Sequence, residues 1–497
     1  MYFANFLHIY QPAKQQKHIL EAVVKSCYRP LLKGLKAIDG SKITLNISGS
    51  LTELLDNNGF SDVLSDIKEL LESGRLELTG SAKYHAFLPL LPDDEIIRQI
   101  KINDQASRFY FGGSYKPRGF FPPEMGFTQK LSPILDELGF DWVILDEIAY
   151  KGGQSFPTQN KLYKIEGLKN LHVFFRNRNS SNLIMSAAVR SLESIKQVLS
   201  EDLKTNAYII SGMDGETFGH HRPGLETLLF DLLSSKEANF VGISDLLGIF
   251  NESEDVQPVS STWASSAKDI KEGIQFISWN DPTNKLHSLQ WALTNLVLAE
   301  VKKHTPQDQT NATARLMLDM ALASDQFFWA CAKPWWSVEM IEEGAFILLS
   351  TVRSISQVSE EVLGKASKLY EEIVSKAFDW QRSDKIRELH LRNNDLLRIP
   401  FKERTFEKGG SEEGVYNAFI AMMRALEKKA SEQREYEQAI MWRDAVYKLE
   451  NKLDIYDTIN VVDLLRTKIS NEEVEKTLDK YTAQYKELRG GQPEQRD

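Results

Sequence analysis

Over about the first 280 residues, short apolar runs alternate with stretches in which apolar residues return every third or fourth position. The runs at 2–8 (YFANFLH), 43–48 (ITLNIS), 75–79 (RLELT), 119–121, 142–145 (WVIL), 172–175 (HVFF), 208–211 (YIIS) and 240–243 (FVGI) predict strands. Most are apolar almost throughout, the pattern of parallel strands covered on both faces. Amphipathic stretches between several of them, such as 60–73 and 93–111, predict helices. Seven or eight such units predict the α/β class and an irregular (β/α) barrel rather than a flat doubly wound sheet. No strand is followed by a Gly-rich phosphate loop, which argues against nucleotide chemistry.

From about residue 284 the spacing becomes helical. Segments 286–304, 314–328, 338–349, 355–377 and 384–392 predict a helical bundle following the barrel. A polar stretch with Pro400 and Gly409-Gly410 then reads as a linker. Beyond it lies a charged helical region, and GGQPEQRD reads as a frayed tail. The expected division is 1–283, 284–392 and 411–489.

Composition narrows the function classes. A chain of 497 residues exceeds one ordinary domain, and 42% hydrophobic residues supply a substantial core. A net charge of −10 lacks the basic footprint of a nucleic-acid binder. Two cysteines, Cys27 and Cys331, are no disulfide scaffold and fit a reducing compartment. MYFANFLHIYQP has no basic start, and His8 interrupts its apolar run, so it does not read as a signal peptide. No apolar run is long enough to span a bilayer. The expectation is a soluble cytoplasmic protein with neither nucleic-acid nor membrane partners.

In parallel barrels the reactive side chains sit where strands end. His8 and Gln11 close the first strand, Glu77 lies in the third, and His85 follows in the next loop. Glu124 sits in PPEMGF, where two prolines remove backbone donors and stiffen the turn. Asp214 and Glu216 belong to GMDGETFGHH, whose glycines let the backbone approach a ligand. That stretch admits three readings: a metal nest with His220 and His221, a general acid with its support, or a solvated loop. Glu124 and Asp214 are the natural pair for glycoside cleavage, in which one carboxyl protonates the leaving oxygen and the other attacks or activates water. Asp325, directly before Phe327, Phe328 and Trp329, is an acid among aromatics, and Trp335-Trp336 follow; such rings stack on sugars or simply pack a core.

Five ordered motifs together resemble glycoside hydrolase family 57, whose members act on α-glucans. They are LHIYQP (7–12), GRLELTGSAKYHAFLPLLP (74–92), GFFPPEMGF (119–127), GMDGETFGHH (212–221) and SDQFFW (324–329). The resemblance covers about residues 1–390. It implies a (β/α)7 barrel, a helical bundle that completes the active site, and retaining double displacement without a metal or other cofactor. It also implies Glu124 as nucleophile and Asp214 as general acid/base. By the same resemblance, His8, Gln11, Glu77, His85, Glu216, His220, His221, Asp325 and Trp329 are the expected substrate-binding residues, and an α-glucan or maltooligosaccharide is the expected substrate. The motifs look nearest to amylase-like members. One departure stands out: Tyr10 occupies the place of the first motif's second histidine.

Near the C-terminus, REYEQAIMWRDAVYKLENKL (434–453) resembles the UVR motif, a helical hairpin, which implies a protein partner; an ordinary charged amphipathic helix fits the same residues. Two rival functions remain. One is a metal-dependent carbohydrate deacetylase or mannosidase with Asp214, His220, His221 and His8 as ligands. The other is a non-catalytic glucan-binding scaffold.

Overall fold

The computed structural model describes residues 1–187, 189–199, 202–304, 311–333, 335–383, 385–392, 412–450, 465 and 468–488. The linker with Pro400 and Gly409-Gly410, the last eight residues and positions 451–453 of the UVR-like stretch lie outside them.

Strand β1 (Tyr2–Ile9) is buried along nearly its whole length, as its apolar run requires. Its alternation separates two layers. Ala4 and Phe6 join Phe121, Trp142, Ile144, Phe174, Tyr208 and Ile210 in an inner core. Phe3, Leu7 and Ile9 pack outward with Ile43, Leu45, Ile47 and helix residues such as Leu20, Leu51, Leu55 and Ile67. His8, in step with Ala4 and Phe6, therefore ends the inner face of the strand.

The remaining strands are β2 (Ile43–Ile47), β3 (Leu76–Leu78), β4 (Gly119–Phe120), β5 (Trp142–Asp146), β6 (Leu162–Ile165), β7 (His172–Arg176), β8 (Tyr208–Asp214), β9 (Asn239–Phe240) and β10 (Ser253–Val256). One sheet runs β3-β2-β1-β8 with β9 added on β1; the other runs β10-β6-β7-β5-β4. All pairs are parallel except β6 with β7. Backbone bonds join the two sheets at both ends. Gly80 N donates to Gly119 O (2.8 Å) and Phe121 N to Gly80 O (2.9 Å), while Asn177 N donates to Ile210 O (2.8 Å). The register sets His8 opposite both Asn46 and Asp214.

The sequence places most elements correctly. The helix over 93–111 is found as Asp93–Phe111, with three acids in its first turn favoured by the helix dipole. Three readings need correction. The run 240–243 is only β9, because Ile243 already starts helix Ile243–Ile249. β6 and β10 escape the apolar-run criterion, since β10 reads SEDV and lies at a sheet edge. The helix expected over 314–328 is broken into Ala312–Ala321 and Asp325–Phe328. Between them the chain forms an Ala86–Ala323 bridge, and Ser324 N donates to His85 O (3.1 Å), so pairing with the barrel-side loop replaces a helical turn.

Helices Lys285–His304, Ala312–Ala321, Val338–Arg353 and Glu360–Arg382 share one apolar cluster with Leu88, Ile96, Ile100 and Phe127. A partly buried ionic lattice joins the same layers. Asp319 accepts from Arg98 Nε (2.8 Å) and from Arg315 Nη2 (2.8 Å), and Arg315 Nη1 also binds Glu95 (2.7 Å). Helices Glu412–Glu432, Tyr436–Glu450 and Asn471–Leu488 bury a separate core around Phe419, Met423, Trp442 and Leu449. Among the described residues, no helix is long and apolar enough to cross a membrane.

A side chain on Gly119 would overlap the fully buried Trp142 ring where β4 meets β5. Gly119→Ala should therefore cost about 1–3 kcal/mol through overpacking. An unchanged thermal unfolding midpoint would show that this contact does not constrain β4.

Candidate active site

The inner faces of β1, β2, β5, β7 and β8 end in polar residues, and these meet above the apolar inner core. His8 Nδ1 bonds Asn46 Oδ1 (2.8 Å), and Asn46 Nδ2 donates to Thr79 Oγ1 (3.0 Å). His8 Nε2 lies 3.1 Å from His85 Nε2, whose other nitrogen bonds Ser324 Oγ (2.9 Å). Both rings are buried, which favours the neutral form: His8 is pushed down to about 4 and His85 well below its ordinary value.

Glu124 follows Pro122-Pro123 with a left-handed backbone (φ 63°, ψ 16°). A non-glycine residue there is strained by on the order of 1–3 kcal/mol, and such conformations persist only where surroundings enforce them. Here Met125 N bonds Pro122 O (2.8 Å), Gly126 N bonds Pro123 O (2.9 Å), and Glu124 O accepts from Trp263 N (3.2 Å). His85 shares the strained region at φ 55°. The carboxyl of Glu124 accepts the Trp263 indole N–H on Oε2 (2.7 Å), and its Oε1 stands 4.0 Å from His85 Nδ1.

Asp214 ends β8, and its side chain makes no capping bond to the turn that follows. The opposite holds for Glu216. Its Oε1 accepts from Tyr28 OH (2.6 Å) and from Tyr10 N (3.1 Å), so it braces the loop. Asp325 receives Tyr10 OH (2.6 Å), and the Tyr10 ring stacks on His85 with centroids 4.2 Å apart.

Burial raises all four carboxyls. Glu124 rises to about 8, helped by the nearby charges of Asp214 and Asp325 and restrained by the indole. Glu216 rises to about 7 through burial and the Asp214 charge. Asp214 rises to about 6, with the Arg176 cation holding it down, and Asp325 is raised with the Tyr10 bond opposing. Interacting carboxyls in one buried site cannot all ionise at once, so the group carries shared protons near neutral pH.

The structure does not bring every expected residue here. Glu77 pairs in register with Thr44, two positions before Asn46, and lies at the opposite end of the inner core. It accepts from Thr44 Oγ1 (3.0 Å) and from the amide and hydroxyl of Ser244 at the start of helix Ile243–Ile249. His220 Nδ1 bonds Ser26 Oγ (3.0 Å), and His221 is exposed. Their amides both donate to Glu216 O (3.2 and 2.8 Å), which makes them loop braces. Gln11 Oε1 accepts from Gln15 Nε2 (2.9 Å). Trp329 lies one turn beyond Asp325, edge-on to Phe328 and Trp335.

The four imagined metal ligands do not converge. Both His8 nitrogens are engaged by Asn46 and His85, and His220 leans on Ser26. Among the described residues no group of three or more His, Cys, Asp or Glu side chains is placed to hold a metal ion.

The sequence reading passed over Trp263, Asp146 and Arg176, which the structure brings to these residues. Asp146 and Arg176 each close an apolar strand with a charge, the same signal that marked His8 and Asp214. Trp263 comes from a loop and carries no periodic signal.

Residues 2–247 match the family model described as glycosyl hydrolase family 57. An α-amylase of Pyrococcus horikoshii is 27% identical over 295 residues, covering 55% of this chain and 46% of that protein. A 4-α-glucanotransferase of Thermococcus litoralis is 24% identical over 290 residues, covering 54% and 43% respectively. The chain thus spans about half the length of the curated relatives it matches. A solved GH57 branching enzyme of Thermococcus kodakaraensis shares the fold with a TM-score of 0.55 at 16% identity, covering 76% of this chain and 96% of that one. Residues 2–247, the span that holds His8, Glu124, Arg176, Asp214 and Glu216, belong to glycosyl hydrolase family 57.

Proposed function

We propose that the chain is a retaining glycoside hydrolase or transglycosylase acting on α-glucans, with Glu124 as nucleophile and Asp214 as general acid/base. The observation that carries it is the meeting of these two half-buried carboxyls beyond strand ends, each pushed upward, with Glu124 anchored by the Trp263 indole. In the first step Asp214 gives its proton to the glycosidic oxygen as the Glu124 carboxylate attacks the anomeric carbon. The C–O bond breaks, the leaving sugar departs, and a glycosyl ester forms. In the second step Asp214 takes a proton from water or from a sugar hydroxyl, whose oxygen displaces Glu124 with net retention.

Glu124 holds its proton more tightly than Asp214 does. Positive charge developing at the anomeric carbon beside Glu124 favours its ionised form, so substrate moves the shared proton onto Asp214. Glu216 and Asp325, braced by tyrosines, serve as sugar-contact or supporting acids, together with His8 and His85.

The reading includes a (β/α)7 barrel over 1–283. It is supported by the backbone bonds that link β3 to β4 and β7 to β8, giving the neighbour sequence β1-β2-β3-β4-β5-β7-β8. The helices of 284–392 complete the site through Ser324 and Asp325. The last helices, 411–489, form a separate unit, and exposed Tyr436 and Ile440 on one face support a protein contact there.

Three outcomes are expected. A defined maltooligosaccharide should be converted, giving shorter products alone for hydrolysis and longer ones as well for transfer; no conversion beside an active relative would overturn the reading. A slow fluoroglycoside substrate should label the peptide containing Glu124, whereas a label on Asp214 would exchange the two roles. The kcat/KM profile should be bell-shaped, falling below about 6 as a second proton joins the pair and above about 8 as the last one leaves. A single-limbed profile would refute a shared proton.

Stability follows the same shift. Because the folded Glu124 is raised from 4.5 to about 8, its contribution is fully present below 4.5 and lost as pH rises through 8. Glu124→Gln removes that loss and should raise the unfolding midpoint more at pH 9 than at pH 5. An increment equal at both pH values would contradict the buried, protonated carboxyl.

A further inference from the structure

Beneath the two catalytic candidates lies a charged assembly with no contact to sugar assigned to it. Asp146 and Arg176 close β5 and β7, face each other in register, and are 1% and 2% exposed. Arg176 Nη1 donates to Asp146 Oδ2 (2.7 Å), and Arg176 Nη2 to Asn182 Oδ1 (2.9 Å). Its Nε donates to Gly212 O (2.6 Å), two residues before Asp214 on β8. A side chain at Gly212 would stand 3.2 Å from Arg176 Cγ, so the glycine admits the arginine stem against the strand. The guanidinium carbon also lies 5.9 Å from the Trp263 ring centroid, and that indole holds Glu124. One side chain thus touches both arms of the site.

The second oxygen of Asp146 binds Arg178 Nη2 (2.8 Å). Arg178 in turn donates to Trp263 O (3.0 Å) and Ser265 O (3.1 Å), fixing the loop that carries the indole. Two guanidiniums on one carboxylate leave this layer with a net charge of about +1, since arginine stays ionised at any working pH. Glu147, beside Asp146, is pushed up to about 7, so near neutral pH it is partly protonated and cancels only part of that charge. A carboxyl pair sharing one proton carries about −1, and the two layers match. Asp214 feels the Arg176 cation, and its own charge acts on Glu124 and Glu216.

We propose that Arg176, clamped by Asp146, is a positioning residue for the reaction: it sets the end of β8 and the Trp263 indole together, and its charge holds the negative charge of the carboxyl group on the Asp214 side. The inference rests on the glycosidase reading above for its effect on turnover. The plain alternative is a buried ion pair that only stabilises the fold, and replacement of such pairs by neutral groups is often harmless.

The decisive variant is the neutral double substitution Asp146→Asn with Arg176→Gln, which removes both charges of the pair and leaves Arg178 its bonds to Trp263 O and Ser265 O. It should lower kcat about 100-fold, the order of loss expected from misplacing reactive groups by about 1 Å, with KM changed far less. Its acid limb should move to higher pH, because Asp214 loses the cation that keeps it down. Unchanged kcat and an unmoved acid limb in this folded variant would overturn the proposal. If the double variant does not fold, Arg176→Lys decides. It keeps the charge but not the fork, so kcat should fall about 10-fold while the acid limb stays; full activity would overturn the positioning role. Should the wild type turn over no α-glucan, the function reading fails by itself. The pH dependence of the unfolding midpoint between pH 5 and 8 then still reads the Arg176–Asp214 coupling. That curve should shift to higher pH in the variant, and identical curves would sink the proposal without reference to turnover.

Discussion

One hydrogen-bonded chain holds the site together: Ser324, His85, His8, Asn46 and Thr79. Asn46 turns its amide N–H to Thr79, so its carbonyl faces His8 and requires a proton on His8 Nδ1. His8 Nε2 is then bare and accepts from His85 Nε2–H, leaving His85 Nδ1 to accept the Ser324 hydroxyl. Each nitrogen is used once and each ring is neutral, in agreement with the downward push that burial gives both. The chain crosses from β1, β2 and the end of β3 to the turn that breaks the 312–328 segment. Without that turn, Asp325 would not stand opposite Tyr10.

A neutral histidine floor determines what the carboxyls can do. No imidazolium is available to stabilise Glu124 as a carboxylate, although His85 Nδ1 is only 4.0 Å away. Stabilisation comes instead from an indole N–H on Glu124 and from the Arg176 cation beside Asp214. The indole is a dipole and the guanidinium a full charge. Glu124 also feels the charges of Asp214 and Asp325, which push it up further, whereas Asp214 has the guanidinium to hold it down, so Asp214 rises less than Glu124. Glu124, the proposed nucleophile, therefore holds the proton more tightly, and under that proposal a cationic transition state would reverse the assignment. Complementarity of this kind to the transition state, rather than to the resting enzyme, is the source of rate.

What the sequence discloses follows from where each residue lies. Apolar runs reveal strands buried on both faces, and a polar residue closing such a run reveals a site residue; His8 and Asp214 are read this way, and Arg176 and Asp146 carried the same mark. Glu124 is visible through the prolines that force its turn. Depth along a strand is not visible, because it depends on register between chains far apart in sequence. Glu77 shares the inner face, yet pairing with Thr44 rather than Asn46 lowers it to the far end of the core. Ser324 and Trp263 are brought in by loops whose paths depend on tertiary bonds, an Ala86–Ala323 bridge in one case and a Phe127–Ser261 bridge in the other. Local pattern contains no trace of either.

Tyr10 shows how a departure from a motif is absorbed physically. A histidine there would add a titrating ring to a stack that already holds His8 and His85. The phenol cannot titrate in the working range, because burial and the Asp325 charge push it well above its ordinary value. It therefore donates to Asp325 at every relevant pH, while its amide serves Glu216. The substitution thus exchanges a pH-dependent link between barrel and helices for a permanent one. Its cost is geometric, since the ring lies flat on His85 and Asp325 has one oxygen committed. Under the proposed function, a sugar hydroxyl reaching Asp325 would share it with this phenol, which would narrow how a glucan lies against the helical side of the site.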